Sequence, residues 1–304
     1  MDEEIYMILP PGYEVPKGHV LHLRKALYGL KQAGQQWYKT LKEQLKKFRL
    51  VQIVNDPHTF VVQRMFASKL KTLIVSVYVD NLLPMGDQVL VDNFTEFLPK
   101  VFKMSAVGEA DFFLGLWIER LHDEHVLRID QHAFVRTILN HFEVPDDATA
   151  PTPLSPQEDL APLDTPASQA NPVTRSKYQS VIGSLMYLML RTRPNFAYVV
   201  GKLAHFSANP LPAHFKAVDR VLLYINATKD LYLEYDPDQT NVDVDAFTDA
   251  DWAQSKPDRK STSGYLFYIN GTAFSWSSKK QSTVATVTNA EYCNQDKYIV
   301  TRDS

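Results

Sequence analysis

Cysteine is nearly missing from this chain: Cys293 stands alone and cannot close an intramolecular disulfide. Long apolar runs are missing too, so no segment reads as a transmembrane helix and no membrane partner is expected. Nor is there an excess of positive charge. Thirty-two Lys and Arg against 35 Asp and Glu give a formal net charge of -3, so any nucleic-acid binding must come from local patches. The start, Met1-Asp2-Glu3-Glu4, is acidic and lacks the apolar core of a signal peptide. An intracellular protein, cytoplasmic or nuclear, is expected. What is present is the composition of an ordinary globular chain, 45% hydrophobic and 22% charged, over 304 residues that allow two modest domains.

Pro10-Pro11-Gly12 and Pro16-Lys17-Gly18 mark a loop-rich entry. From Ala33 to Phe48, Trp37, Leu41, Leu45 and Phe48 recur every three or four residues with Lys39, Lys42, Lys46 and Lys47 between them, which predicts an amphipathic helix with a basic outer face. Thr59 to Phe66 and Leu70 to Val79 read as a hairpin. The second run ends in Tyr78-Val79-Asp80-Asn81-Leu82-Leu83, placing a polar pair inside an apolar segment, where a desolvated carboxylate is costly unless paired or metal-bound. The same pair also reads as a polar hairpin turn. Helical spacing over Val89 to Phe102, a strand over Phe112 to Leu121 and a helix over Gln131 to Phe142 complete an α+β pattern.

Residues Val144 to Pro172 are rich in Pro, Asp, Ser and Thr and read as a surface linker with little core of its own. Three helices should follow, over Ser176 to Leu190, Asn195 to Ser207 and Ala213 to Thr228. Then come short strands, Leu231 to Tyr235, Val242 to Thr248, Gly264 to Ile269 and Ala273 to Ser277, the last two joined by Asn270-Gly271, the dipeptide of a primed hairpin turn.

Several segments stand in a telling order. Leu27-Tyr28-Gly29-Leu30-Lys31-Gln32-Ala33, Trp37-Tyr38, Asn55-Asp56-Pro57, Tyr78-Val79-Asp80 and Phe113-Leu114-Gly115 together resemble copia-type retrotransposon reverse transcriptases. The resemblance continues through Tyr178 to Tyr187 and Arg193-Pro194. It then runs through Thr248-Asp249-Ala250-Asp251-Trp252-Ala253, Arg259 to Tyr265, Trp276 to Gln281 and Ala290-Glu291-Tyr292.

That resemblance implies an RNA-directed DNA polymerase joined to a ribonuclease H, an RNA/DNA template-primer as partner, and Mg2+ as cofactor. Polymerisation of this kind uses two divalent metals about 3.5–4 Å apart, held by convergent carboxylates. Asp80 matches one carboxylate, but Asn81 stands where the family has a second Asp. The other metal-binding strand, Asp-Val-x-x-Ala-Phe, is expected upstream of the segment matched by Glu3-Glu4-Ile5-Tyr6-Met7, before this sequence begins. Lys31 and Gln32 match the segment that contacts template and nucleotide, although Gly34 replaces a usual Pro and Gln35 a common Arg. Lys39, Lys42 and Lys46 offer substrate-backbone contacts. Glu43 interrupts them, so a solvated helix face is the other reading.

In the ribonuclease H part, Asp249 and Glu291 match two carboxylates of the metal cluster, while Asn289 stands where a further Glu is usual. Asp251 reads as an exposed turn residue. Cys293-Asn294-Gln295 follows Glu291 almost at once and lacks the usual Asp, leaving Asp296 or Asp303 as substitutes by accident. The expectation is therefore an α+β fold. A partial reverse-transcriptase palm and thumb (1–143), a linker (144–172) and a helical connector (173–229) precede an incomplete α/β ribonuclease H-like domain (230–304). Both activities should be impaired, with a non-catalytic nucleic-acid-binding module as the alternative.

Overall fold

In the computed structural model, the residues described are 4–8, 12, 16, 18–104, 108–155, 160, 171–236, 242–251 and 258–282. The chain falls into two compact units, Met1–Ala110 and Asp111–Ser304.

The first unit begins with the short strands β1 (Tyr6–Met7) and β2 (Leu21–His22), paired antiparallel. Two consecutive turns, with Gly29 at φ 94, then lead into α1 (Ala33–Lys47). As the spacing predicts, α1 buries Leu41 and Leu45, and Lys46 and Lys47 lie in its last turn, where cations suit the helix dipole. At that end the Arg64 guanidinium donates to the Phe48 carbonyl at 2.5 Å and lies 4.6 Å over the Phe48 ring.

Strands β3 (Val51–Gln52), β4 (Thr59–Phe66), β5 (Lys69–Tyr78) and β6 (Asn81–Gly86) form one antiparallel sheet in sequence order. Alternation puts Phe60, Val62, Leu73, Val75 and Val77 on its buried face. There they meet α1 and α2 (Gln88–Phe97), which contributes Leu90 and Phe94. Asp87, just before α2, accepts from Lys71 Nζ at 2.6 Å and the Thr72 N–H at 2.7 Å, and these bonds hold its carboxyl below the usual range.

The second unit opens with β7 (Phe112–Phe113), β8 (Leu116–Leu121) and β9 (Val126–Asp130), followed by α3 (His132–His141). The expected strand from Phe112 to Leu121 is thus broken by a turn, with Leu114 at φ 51 and Gly115 at φ 80, and β9 was not anticipated. Then come α4 (Pro172–Arg191), α5 (Ala197–Ala204) and α6 (Pro212–Ala227), as expected, except that a 3-10 turn over Pro194–Phe196 takes the first residues of the second predicted helix. Asn171 caps α4 by accepting from the Val173 N–H at 3.0 Å, with Pro172 in the first turn. Val135, Ile138 and Leu139 of α3 share one core with Tyr178, Leu185, Val200 and Val221 from α4, α5 and α6.

Packing therefore joins 111–143 to the helices after it, a different grouping from the one the Pro-rich stretch suggests. Part of that stretch is itself strapped down. Asn226 Nδ2 donates to the carbonyls of Pro145, Asp146 and Ala148, and Leu160 is buried in the second core.

Strand β10 (Leu233–Tyr235) corrects another expectation: it joins β9, giving the sheet β10-β9-β8-β7, where sequence reading grouped it with the strands that follow. Arg128 and Glu234, paired across β9 and β10 at 2.7 Å, fix that register. The remaining strands, β11 (Val244–Ala250), β12 (Thr262–Ile269) and β13 (Thr272–Lys280), form an antiparallel sheet in that order. Asn270 (φ 48) and Gly271 (φ 79) make the primed turn that their identities predict. No described helix is long and apolar enough to cross a membrane.

Candidate functional site

Asp80 lies in the loop between β5 and β6. Tyr78 pairs with Asn81, so Val79 and Asp80 alone make the turn. Both Asp80 and Asn81 are exposed, which corrects the idea of a polar pair buried within an apolar strand: the apolar alternation of β5 ends at Val77, one residue before the hairpin closes. Val79 has φ 56. A β-branched residue rarely adopts that conformation, because its side chain crowds the backbone.

The turn is bound to α1. Trp37 Nε1–H donates to the Val79 carbonyl at 2.6 Å, across 42 residues of sequence. The next residue, Tyr38, donates to the Pro57 carbonyl, and Gln52 Nε2 bonds both the Tyr38 hydroxyl at 3.0 Å and that carbonyl at 2.7 Å. Asp56 accepts from the Thr59 hydroxyl at 2.5 Å and the His58 N–H at 2.9 Å, which hold its carboxyl below the usual range. Partial burial, and then the Asp56 charge, raise the Tyr38 phenol. Three of the ordered segments, around Trp37-Tyr38, Asn55-Asp56-Pro57 and Asp80, are thus tied together by hydrogen bonds. The motif order pointed to these residues, but nothing in the sequence signalled the Trp37 bond.

The basic residues divide. Lys31 is exposed in the turn before α1, and Gln32 is the helix N-cap. Lys39 and Lys46 are exposed, whereas Lys42 is half-buried and donates to Gln52 Oε1 at 2.5 Å.

In the second unit Asp249 is exposed near the end of β11, opposite Gly264 of β12. Asp251, expected as an exposed turn residue, is instead half-buried and closes the end of the β11–β12 ladder, where its carboxylate accepts from the Thr262 N–H at 2.7 Å. Glu291, Asn289, Cys293, Asp296 and Asp303 lie outside the described residues. Among the described residues, no group of three or more His, Cys, Asp and Glu could hold a metal ion. Asp80 beside an amide does not make the carboxylate set that two divalent cations require.

Further members of the ordered series serve as joints within the second unit. The Tyr187 hydroxyl donates to the Leu114 carbonyl at 2.7 Å, and Trp276 Nε1–H donates to the Met189 carbonyl at 2.6 Å. The buried Arg193 guanidinium donates to the Thr228 carbonyl at 3.0 Å and the Thr228 hydroxyl at 2.5 Å, and burial lowers its pKa.

Comparison with known proteins agrees with this pattern. The chain is 35% identical over 298 residues to the retrovirus-related Pol polyprotein from transposon TNT 1-94 of Nicotiana tabacum, covering 96% of this chain and 22% of that protein. It is 34% identical to the corresponding polyprotein from transposon RE1 of Arabidopsis thaliana, covering 96% of this chain and 19% of that one. The chain thus spans about a fifth of the length of these relatives. A putative transposon Ty5-1 protein of Saccharomyces cerevisiae is 28% identical over 306 residues, 96% of its own length. No solved structure matches. Residues 1–156, which contain the Trp37-clamped Asp80 turn, match the family described as reverse transcriptase (RNA-dependent DNA polymerase), and to that family the chain belongs.

Proposed function

We propose that this chain is a copia-type retrotransposon reverse transcriptase joined to a ribonuclease H-like segment, and that it does not polymerise DNA. In this reading Asp80 is a palm carboxylate, Lys31 and Gln32 face template and nucleotide, and Asp249 and Glu291 belong to the ribonuclease H cluster. Residues 1–143 derive from palm and thumb, 173–229 from the connector and 230–304 from the ribonuclease H domain.

The observation that carries the reading is the exposed hairpin tip, which presents Asp80 followed by Asn81. A neutral amide there withdraws one negative charge from the place where two metals must be neutralised. Mg2+-dependent primer extension on an RNA template, and hydrolysis of an RNA–DNA hybrid, test it. The expected outcome is no activity in either assay; Mg2+-dependent primer extension by the purified chain overturns the claim of an inactive polymerase.

A second reading, a non-catalytic nucleic-acid-binding module, is supported by the exposure of Lys39 and Lys46 on α1. Cations on a phosphate backbone release counterions, so binding should weaken with salt. A duplex titration with no affinity and no salt slope at low ionic strength removes this reading.

A further inference from the structure

We propose that Trp37 is the positioning residue of the Asp80 turn: its indole N–H holds the Val79 carbonyl and so fixes where the Asp80 carboxylate points. The proposal rests on reading Asp80 as the palm carboxylate.

A two-residue hairpin loop usually places Gly, Asn or Asp where φ must be positive. Here the position is held by Val79, at φ 56. Such strain persists only where the surroundings over-determine it. Burial of the Val79 side chain does not supply that, because the residue is 60% exposed. The pairing of Tyr78 with Asn81 closes the hairpin but leaves the peptide plane between Val79 and Asp80 to be oriented. The Trp37 bond of 2.6 Å acts on that plane, through its carbonyl oxygen.

The indole is itself fixed on two sides. Its backbone belongs to α1, anchored by the buried Leu41 and Leu45. Its ring meets Phe102 edge-on at a centroid distance of 5.1 Å. Phe102 is held in turn, since its N–H donates to the Leu98 carbonyl at 2.9 Å and Leu98 is buried. Support therefore passes from the core through Phe102 and Trp37 to the carbonyl directly before Asp80. Trp37 is half-buried, with its ring on Phe102 and its polar atom on the strained residue of the turn.

The test uses the isotope-labelled full chain in solution. A positive φ at Val79 brings its own amide and α protons close and gives a strong nuclear Overhauser effect. In the Trp37→Phe variant, which keeps a ring against Phe102, that effect should fall at least about twofold and the Asp80 and Asn81 amides should shift, while the amides of Leu45 and Phe94 stay in place. Should the variant not fold, the unmodified chain decides: the Trp37 indole proton should exchange with solvent at least about tenfold more slowly than an exposed indole. An unchanged Val79 signature in Trp37→Phe, or free exchange of that indole proton, overturns the proposal. Mn2+ judges the underlying reading separately, in a variant that restores the second carboxylate. If Asp80 is a palm carboxylate, Mn2+ broadens the amides of residues 80 and 81 in Asn81→Asp and not in the double variant Asn81→Asp with Asp80→Asn. If it broadens neither, the reading of Asp80 falls while the hold of Trp37 on the turn is still decided by the Val79 signal.

Discussion

A methyl group added to Gly115 would sit 2.2 Å from the Tyr187 hydroxyl oxygen, at a backbone φ of 80 that side chains rarely adopt. The same hydroxyl donates to the Leu114 carbonyl, so one atom needs both the turn and the missing side chain. Gly115→Ala should destabilise the protein by about 1–3 kcal/mol, and Tyr187→Phe by about 1 kcal/mol. Removing the hydroxyl also removes the clash, so the double variant should cost less than the two single costs added together. Urea unfolding of the four proteins measures this, and strict additivity would contradict the contact. His214 offers a second test at this scale. It is buried, stacks on Phe206 at 3.8 Å, and its Nδ1 accepts the Leu211 N–H at 3.0 Å, so the ring is neutral, and burial lowers its pKa from 6.5. A histidine with a lowered folded pKa takes up its proton more readily when unfolded. Its stabilisation is therefore complete above the ordinary histidine range and declines as pH falls through about 6.5, until the folded value is reached. Asp87 behaves differently: its lowered carboxyl stabilises at pH above its ordinary 3.8 and loses this only in stronger acid, so the two steps separate. Melting temperature measured between about pH 7.5 and 5 should fall for the native chain and fall less for His214→Phe, which keeps an aromatic ring but cannot titrate.

At the scale of elements, legibility followed the range of the interaction. Helix α1 was readable because Leu41 and Leu45 repeat at helical spacing, and the turn between β12 and β13 because Asn270-Gly271 suits positive φ. The hairpin of β4 and β5 was readable too, but from its two β-rich runs and not from its turn. Ala67 and Ser68 adopt φ 46 and 67 without the Gly or Asn that suits positive φ, because the strands on either side dictate the closure. Strand β9 escaped because all five of its residues are only half-buried, and one of its partners, β10, lies about a hundred positions away. The site divided in the same way. Asp80 and Asp249 were singled out by the resemblance of short contiguous segments taken in order, whereas the Trp37 support joins residues 42 apart. A local mismatch between residue and conformation is also a place to gain stability. Placing Asn at 67 and Gly at 68 should stabilise the β4–β5 hairpin by about 1–2 kcal/mol, since the left-handed conformation costs Ala and Ser roughly that much. A rise in the urea midpoint is the expected reading, and a fall would mean that these two side chains are needed where they are.

At the scale of the molecule, the two hydrophobic cores formed by the described residues share none of them: one gathers Leu41, Leu45, Phe60, Leu73 and Phe94, the other Val135, Tyr178, Leu185, Val200 and Val221. Each compact unit therefore closes around its own apolar centre, and the Pro-rich stretch does not mark the division. Parts of that stretch lie on the second core through Leu154 and Leu160, while the division falls at Ala110 and Asp111. Burial of separate cores implies separate cooperative losses on heating. Leu41 and Leu185 are both fully buried, and truncating either to Ala should cost about 2–5 kcal/mol. Melting shifts scale inversely with the size of the cooperative unit, so Leu41→Ala should lower one transition by about 10 °C or more, and Leu185→Ala should lower the other by about 4 °C or more. Calorimetry of the full chain and both variants distinguishes the cases. Two transitions, each moved by one substitution alone, are expected from two independent cores. A single transition moved by both would mean that the units unfold as one body, and that stability is shared across the division at Ala110.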